Sequence, residues 1–250
     1  MGQNKRPYEP LALFLGVVLI GCLVQAAGWL KGDRLVFPGV FEILKAFFRL
    51  LGDRQTYAKI LVTLRHLLIS VLVSSALGVA IGIAEGSNRF LRSLLRPLMA
   101  LLRFVPMVIM VVVIMVLTKY ERVPVIATSM FLVPLIAEAA CQGVLELDRD
   151  LLDVYRLEGD LSFRVVRMVH LPLMAGYLRQ AFINAVGLGM KIVVSTEYLV
   201  QTRNSLGKAI YSSSYFNEYQ DIYAYALVMI VLVLLVSELP SLLAKLSKRR

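Results

Sequence analysis

Between Leu11 and Ala244 the chain repeats one pattern about six times: a run of roughly twenty apolar residues closed by a short polar stretch bearing Arg or Lys. At a rise of about 1.5 Å per residue, each run is long enough to cross the roughly 30 Å hydrocarbon core of a bilayer as an α-helix. The runs are Leu11–Leu30, Ile60–Ala84, Pro97–Thr118, Val123–Leu145, the stretch from Pro172 to Val200, and Ile222–Ala244. They consume nearly the whole chain, so residues 1–250 are expected to form one transmembrane domain with its core at 60–246. The expected fold class is all-α, a polytopic membrane helix bundle. With 58% hydrophobic and 18% charged residues in 250, a single soluble core cannot hide the apolar surface.

The net charge of +10 is spread over the polar connectors. It lacks the interleaved aromatics of a nucleic-acid surface, so anionic lipid headgroups and topology account for it better. Cys22 and Cys141 lie inside apolar runs and read as small hydrophobes. Leu19-Ile20-Gly21-Cys22 has the look of a lipoprotein cleavage box, and Val24-Gln25-Ala26 faintly resembles a signal-peptidase site. Apolar residues nevertheless continue to Leu30, which predicts a retained first helix over 11–30 entering from the cytoplasm. The basic tail after Ala244 then places both termini in the cytoplasm.

Several connectors carry further expectations. Residues 37–55 open on Phe37-Pro38-Gly39 and space Phe41, Leu44, Phe47, Phe48 and Leu51 on one stripe, which predicts an amphipathic outer surface helix resting on lipid or on a protein partner. The second run carries Ser70, Ser74, Gly78, Gly82 and Gly86 at every fourth position, a face for close helix packing. Glu85 to Arg96 reads as a short cytoplasmic loop. In the third run, Pro106 breaks the hydrogen-bond ladder and Arg103 places a charge within the span, so this turn must face protein or water.

The polar stretch Asp153–Pro172 has a distinctive grammar within a loop over 148–171. Asp153, Val154 and Tyr155 are followed by three residues, Gly159, nine residues, Val169, one residue, then Leu171 and Pro172. Gly159 permits a sharp turn between two short helical pieces, Pro172 opens the next span, and Arg156, Arg164 and Arg167 offer donors to an acidic or carbonyl-rich groove. Glu138-Ala139-Ala140 spells a similar tripeptide, but its Gly143 comes one residue early and no Leu-Pro follows at the required distance.

This spacing resembles the EAA loop of binding-protein-dependent ABC importer permeases, with Asp-Val-Tyr in place of Glu-Ala-Ala. The resemblance implies a cytoplasmic coupling helix in which Asp153, Val154, Tyr155, Arg156, Gly159, Arg164, Leu171 and Pro172 contact an ABC ATPase dimer. It also implies a second copy of this chain, an extracytoplasmic solute-binding protein and a place in the bacterial inner membrane. Phe37-Pro38-Gly39, Leu102-Arg103-Phe104-Val105-Pro106, Ser195-Thr196-Glu197-Tyr198-Leu199 and Asn204-Ser205-Leu206-Gly207 resemble elements of the branch serving sulfonates, taurine, nitrate and thiamine precursors. Two departures stand out: polar Thr118-Lys119 replaces the family's Phe-Gly, and Lys191 sits where the family carries an uncharged residue.

No catalytic constellation, metal-ligand pattern or phosphate-binding Gly-x4-Gly-Lys-Ser/Thr loop is visible, so the chain is read as a non-enzyme without its own cofactor. ATP-Mg chemistry belongs to the implied partner. Asn184, Lys191 and Ser195 share one helical face and suggest a polar strip along a pathway for a small polar or anionic solute, with Glu197 and Glu138 as further candidate pathway residues. The alternative is structural: Lys191 pairs with Glu138 or Glu197 and fixes helix packing. Glu197 itself either gates the pathway or ties a helix interface. An importer permease is the resulting expectation; a secondary transporter or a non-transporting membrane scaffold is the alternative.

Overall fold

The computed structural model describes residues 38–146 and 171–247, with side chains through residue 237, together with isolated positions between 15 and 36. Most of the 11–30 run lies outside the described residues, as do Asp153, Val154, Tyr155, Arg156, Gly159 and Arg164. The described helices are α1 (Val40–Gly52), α2 (Arg54–Ser87), α3 (Arg89–Phe104), α4 (Met107–Leu117), α5 (Val123–Leu145), α6 (Ala175–Val200), α7 (Leu206–Tyr215) and α8 (Tyr219–Ser247). A 3-10 turn over Tyr120–Arg122 precedes α5, and one helical turn over Leu171–Leu173 precedes α6. Four of these helices are long and apolar enough to cross a membrane, or five spans if the bent pair α3–α4 counts as one.

Single residues separate α1 from α2 and α2 from α3. Asp53 ends α1 through its N–H to the Leu50 carbonyl (3.2 Å), and its carboxylate accepts from the Gln55 N–H (3.0 Å) to start α2. Asn88 does the same at the other end, its side-chain oxygen accepting from the N–H groups of Phe90 (2.8 Å) and Leu91 (3.4 Å). The stretch Glu85–Arg96, expected as a loop, is therefore helical apart from Asn88. Its arginines are good helix formers, and one Asx cap suffices to redirect the chain. Helix α2 has 34 residues, about 51 Å at the standard rise, well beyond the bilayer core.

The third apolar run is not one straight span. Val105 is extended (φ −63°, ψ 126°), as its position before Pro106 demands, and α3 and α4 meet at 102°. With 11 residues, about 16 Å, α4 cannot cross a bilayer alone.

At the centre, α2 and α5 run parallel in close contact along the small-residue stripe. Ser70 donates to the Val125 carbonyl (3.2 Å) and Ser129 donates back to the Ser70 carbonyl (3.4 Å). Further along, a Cβ on Gly78 would lie 2.8 Å from the Ile136 Cβ, one on Gly82 2.3 Å from the Ala137 carbonyl, and one on Gly86 2.5 Å from the Val144 Cβ. Absence of side chains at three successive turns is what brings the two backbones together. Helix α6 packs antiparallel to both, with Gly189 against Leu67 and Leu132 near one end and Met174 against Gly143 near the other. Leu67, Val71, Leu132, Ile136, Val186, Met190 and Val193 form the core of the three-helix contact.

Helix α1 packs its Ile43, Ala46 and Leu50 face inward, with α8 as its main neighbour, and Arg49 forms an ion pair with Asp221 of α8. Phe41 (81% exposed), Leu44 and Phe48 point away from the bundle. The helix thus has both surfaces that its sequence left open, a protein face and an uncovered apolar stripe. The polar segment Gln201–Asp221 holds the unforeseen helix α7, opened by Ser205, whose hydroxyl accepts from the Lys208 N–H (3.1 Å).

Candidate functional site

Helix α6 presents two different faces. Ala185, Val186, Met190, Val193, Val194 and Glu197 are buried in the bundle, while Asn184, Lys191 and Ser195 are exposed. At 100° per residue these three lie within about 40° of one another, so the exposed side carries a polar strip, interrupted by the exposed Leu188. Gln180 extends it by one turn, donating from its amide to the Asn184 side-chain oxygen (3.2 Å). Gly187 lies on the same side, and a Cβ there would meet nothing within 4 Å. The Lys191 ammonium makes no hydrogen bond or ion pair among the described residues.

Both carboxylates that might have paired with Lys191 are engaged elsewhere. Glu138 on α5 forms an ion pair with Arg103 (2.6 Å), whose guanidinium also donates to the Pro134 carbonyl (3.0 Å). Arg103 sits one residue before the end of α3, beside the α3–α4 break, and the side chains of this pair remain 40% and 54% exposed. Charged groups this open on membrane-level helices require water or a polar neighbour.

Glu197 is fully buried. Its Oε2 accepts from the Thr63 hydroxyl (2.8 Å) and the Gly207 N–H (3.2 Å), and its Oε1 lies 2.7 Å from His66 Nδ1. Thr63 Oγ1 in turn accepts from the Leu206 N–H (3.0 Å). Residues of α2, α6 and the first turn of α7 therefore share one carboxylate, and two N–H groups at the start of α7 gain partners. Thr63 and His66 were not singled out as site residues from sequence. Their spacing of three on one helix face is the signal that could have found them, although it does not name the distant acid.

Of the implied coupling residues, Leu171 and Pro172 are described; both are exposed, one turn before the buried Met174. The other six lie outside the described residues. Among the described residues no three His, Cys, Asp or Glu side chains converge as a metal site would require.

Comparison with known proteins decides the family. A model for the inner membrane component of binding-protein-dependent transport systems matches residues 46–250. The chain belongs to this family. The permease is 25% identical over 199 residues to proteins named as probable ABC transporter permeases in Brucella melitensis and Brucella abortus, covering 77% of this chain and 80% and 78% of theirs. Its fold is similar to a chain of the MetNI methionine ABC transporter in an inward-facing conformation. That match has a TM-score of 0.61 and 18% identity, over 77% of this chain and 97% of the other.

Proposed function

We propose that this permease is the membrane subunit of an ATP-driven importer for a small polar or anionic solute and works as a pair of copies. In this reading α6 lines the pathway. The carrying observation is the exposed strip of Gln180, Asn184, Lys191 and Ser195 on a helix of membrane-spanning length. Lipid is a poor neighbour for an unpaired ammonium in the middle of a span, whereas a second copy or an aqueous route satisfies it. A single cation amid amides and hydroxyls favours anions, consistent with the branch serving sulfonates, taurine and nitrate that the sequence resembles.

Alternating access supplies the cycle. A partner ATPase dimer binding ATP-Mg closes on the loop over 148–171, and that motion tilts α5 and α6, which flank it in sequence. A solute-binding protein delivers cargo at the opposite end, near α7. With the coupling loop inside the cell, both termini are cytoplasmic and the membrane is the bacterial inner membrane.

Thiol labelling tests the pathway assignment. With Cys22 and Cys141 replaced by Ala, cysteines introduced at Asn184, Lys191 and Ser195 should react with a membrane-impermeant methanethiosulfonate in the reconstituted transporter, and the block should reduce ATP-driven uptake. Cysteines at the buried Val186 and Val193 serve as negative controls. Strip positions that stay unreactive in every nucleotide state would overturn the assignment.

A further inference from the structure

Helix α3 has two exposed faces of opposite character that neither the polar strip nor the family assignment explains. On one side Phe90 (71% exposed), Leu94, Leu98 and Leu101 stand open; on the other are Arg89, Arg92, Ser93 and Arg96. Only Met99 of its 16 residues is buried. Between Gly86 and Tyr120 the chain has no Asp or Glu. Arg92 is turned back on the chain, donating to the carbonyls of Glu85 (3.0 Å) and Gly86 (3.3 Å), and Arg103 is held by Glu138. The guanidiniums of Arg89 and Arg96 make no hydrogen bond or ion pair among the described residues.

We propose that α3 lies in the headgroup boundary of the membrane and that Arg89 and Arg96 bind the phosphate of an anionic phospholipid. Positions 89 and 96 fall on one face by their spacing of seven, so two free guanidiniums stand on one side of the helix. The Ser93 hydroxyl spends its one proton on the Arg89 carbonyl (3.1 Å), so the two guanidiniums are the donors this face offers. Long apolar side chains on the opposite side suit a helix face sunk roughly 5–10 Å into the headgroup/acyl boundary. The 102° bend away from α4 lets α3 lie across the direction of the following segment. A second copy is a poorer occupant of the basic face, because equivalent arginines would meet with like charge. The lipid is that of the cytoplasmic leaflet. Gly86 packs on Val144, so α3 starts at the bundle end from which residues 147–170 depart, and this siding rests on the orientation proposed above.

Native mass spectrometry of the purified full-length chain from micelles of phosphatidylglycerol and phosphatidylcholine tests the site. Wild type should retain phosphatidylglycerol preferentially. Arg89→Gln with Arg96→Gln should weaken that retention by about fivefold per arginine, from roughly 1 kcal/mol for each basic side chain at an anionic surface. Arg89→Lys with Arg96→Lys should retain most of it, and Arg122→Gln beyond α4 should leave it unchanged. Glutamine matches arginine in helix propensity, so an unchanged melting temperature will accompany the loss. Equal retention by wild type and the double Gln variant would overturn the proposal. So would efficient copy-to-copy disulfide formation by Leu94→Cys or Leu98→Cys in membranes, which would place protein over the apolar face. The readout needs neither solute nor ATPase, so it can fail while the transport reading stands, and the reverse.

Discussion

Gly207 approaches Glu197 so closely that a Cβ on Gly207 would lie 2.4 Å from the Glu197 Cβ, while its N–H donates to the same residue's carboxylate at 3.2 Å. Backbone atoms of Tyr198 and Val194 stand 2.5 Å from that missing Cβ, so no rotamer change makes room. Gly207→Ala should therefore destabilise the permease by about 1–3 kcal/mol through backbone displacement. A lowered melting temperature in detergent checks it.

Glu197→Ala should cost about 3 kcal/mol or more, because it leaves the Gly207 N–H and the Thr63 hydroxyl without their acceptor inside the bundle. Glu197→Gln should cost less, since the amide oxygen still accepts one of these bonds. Denaturation midpoints of the two variants should rank accordingly, and equal midpoints would count against the carboxylate as the tie between α2, α6 and α7.

Glycines 82 and 187 offer a controlled contrast. Gly82→Ala drives a methyl to 2.3 Å from the Ala137 carbonyl and should separate α2 from α5, with poor membrane accumulation. Gly187→Ala meets nothing within 4 Å, so it should be neutral or raise stability by up to about 1 kcal/mol through helix propensity. Parallel expression and thermal-melt measurements on the two variants decide it.

The Arg103–Glu138 pair is half open to its surroundings, so solvent screens it. Glu138→Gln should change stability by less than about 1 kcal/mol. A larger loss of uptake than of stability, measured on the same preparation, would place the pair in the moving part of the transporter.

Gly159→Trp should abolish uptake and release or uncouple the ATPase while the chain still reaches the membrane. Normal ATP-driven uptake by that variant would sink the coupling assignment of residues 148–171.

Apolar run length and small-residue spacing revealed most of the fold before any coordinates, because both follow from local geometry. Ser70 to Gly86 marked the packing face of α2 correctly, and Lys119–Arg122 marked its turn. Ends of elements were harder to read. Arg89, Arg92 and Arg96 looked like loop residues because their charge resembles that of a topological signal, whereas a single Asn88 cap keeps them helical. The break at Val105-Pro106 was legible from proline chemistry, but its 102° angle depends on α3 and α4 packing against α5. At the site, the period of α6 grouped Asn184, Lys191 and Ser195. The company Glu197 keeps was not readable, since Thr63 and His66 lie more than 130 positions away in sequence and only the bundle brings them together.

The two one-residue joints at Asp53 and Asn88 have a mechanical meaning. Helix α2 is an unbroken rod keyed lengthwise to α5 by its glycines, yet pinned at each tip to a neighbour through a single capped residue. The neighbours are held at fixed angles to this rod: Arg49 ties α1 to Asp221 of α8, and Arg92 reaches back across Asn88 to the Glu85 and Gly86 carbonyls. Lengthening either joint with flexible residues should loosen these angles without disturbing the keyed centre.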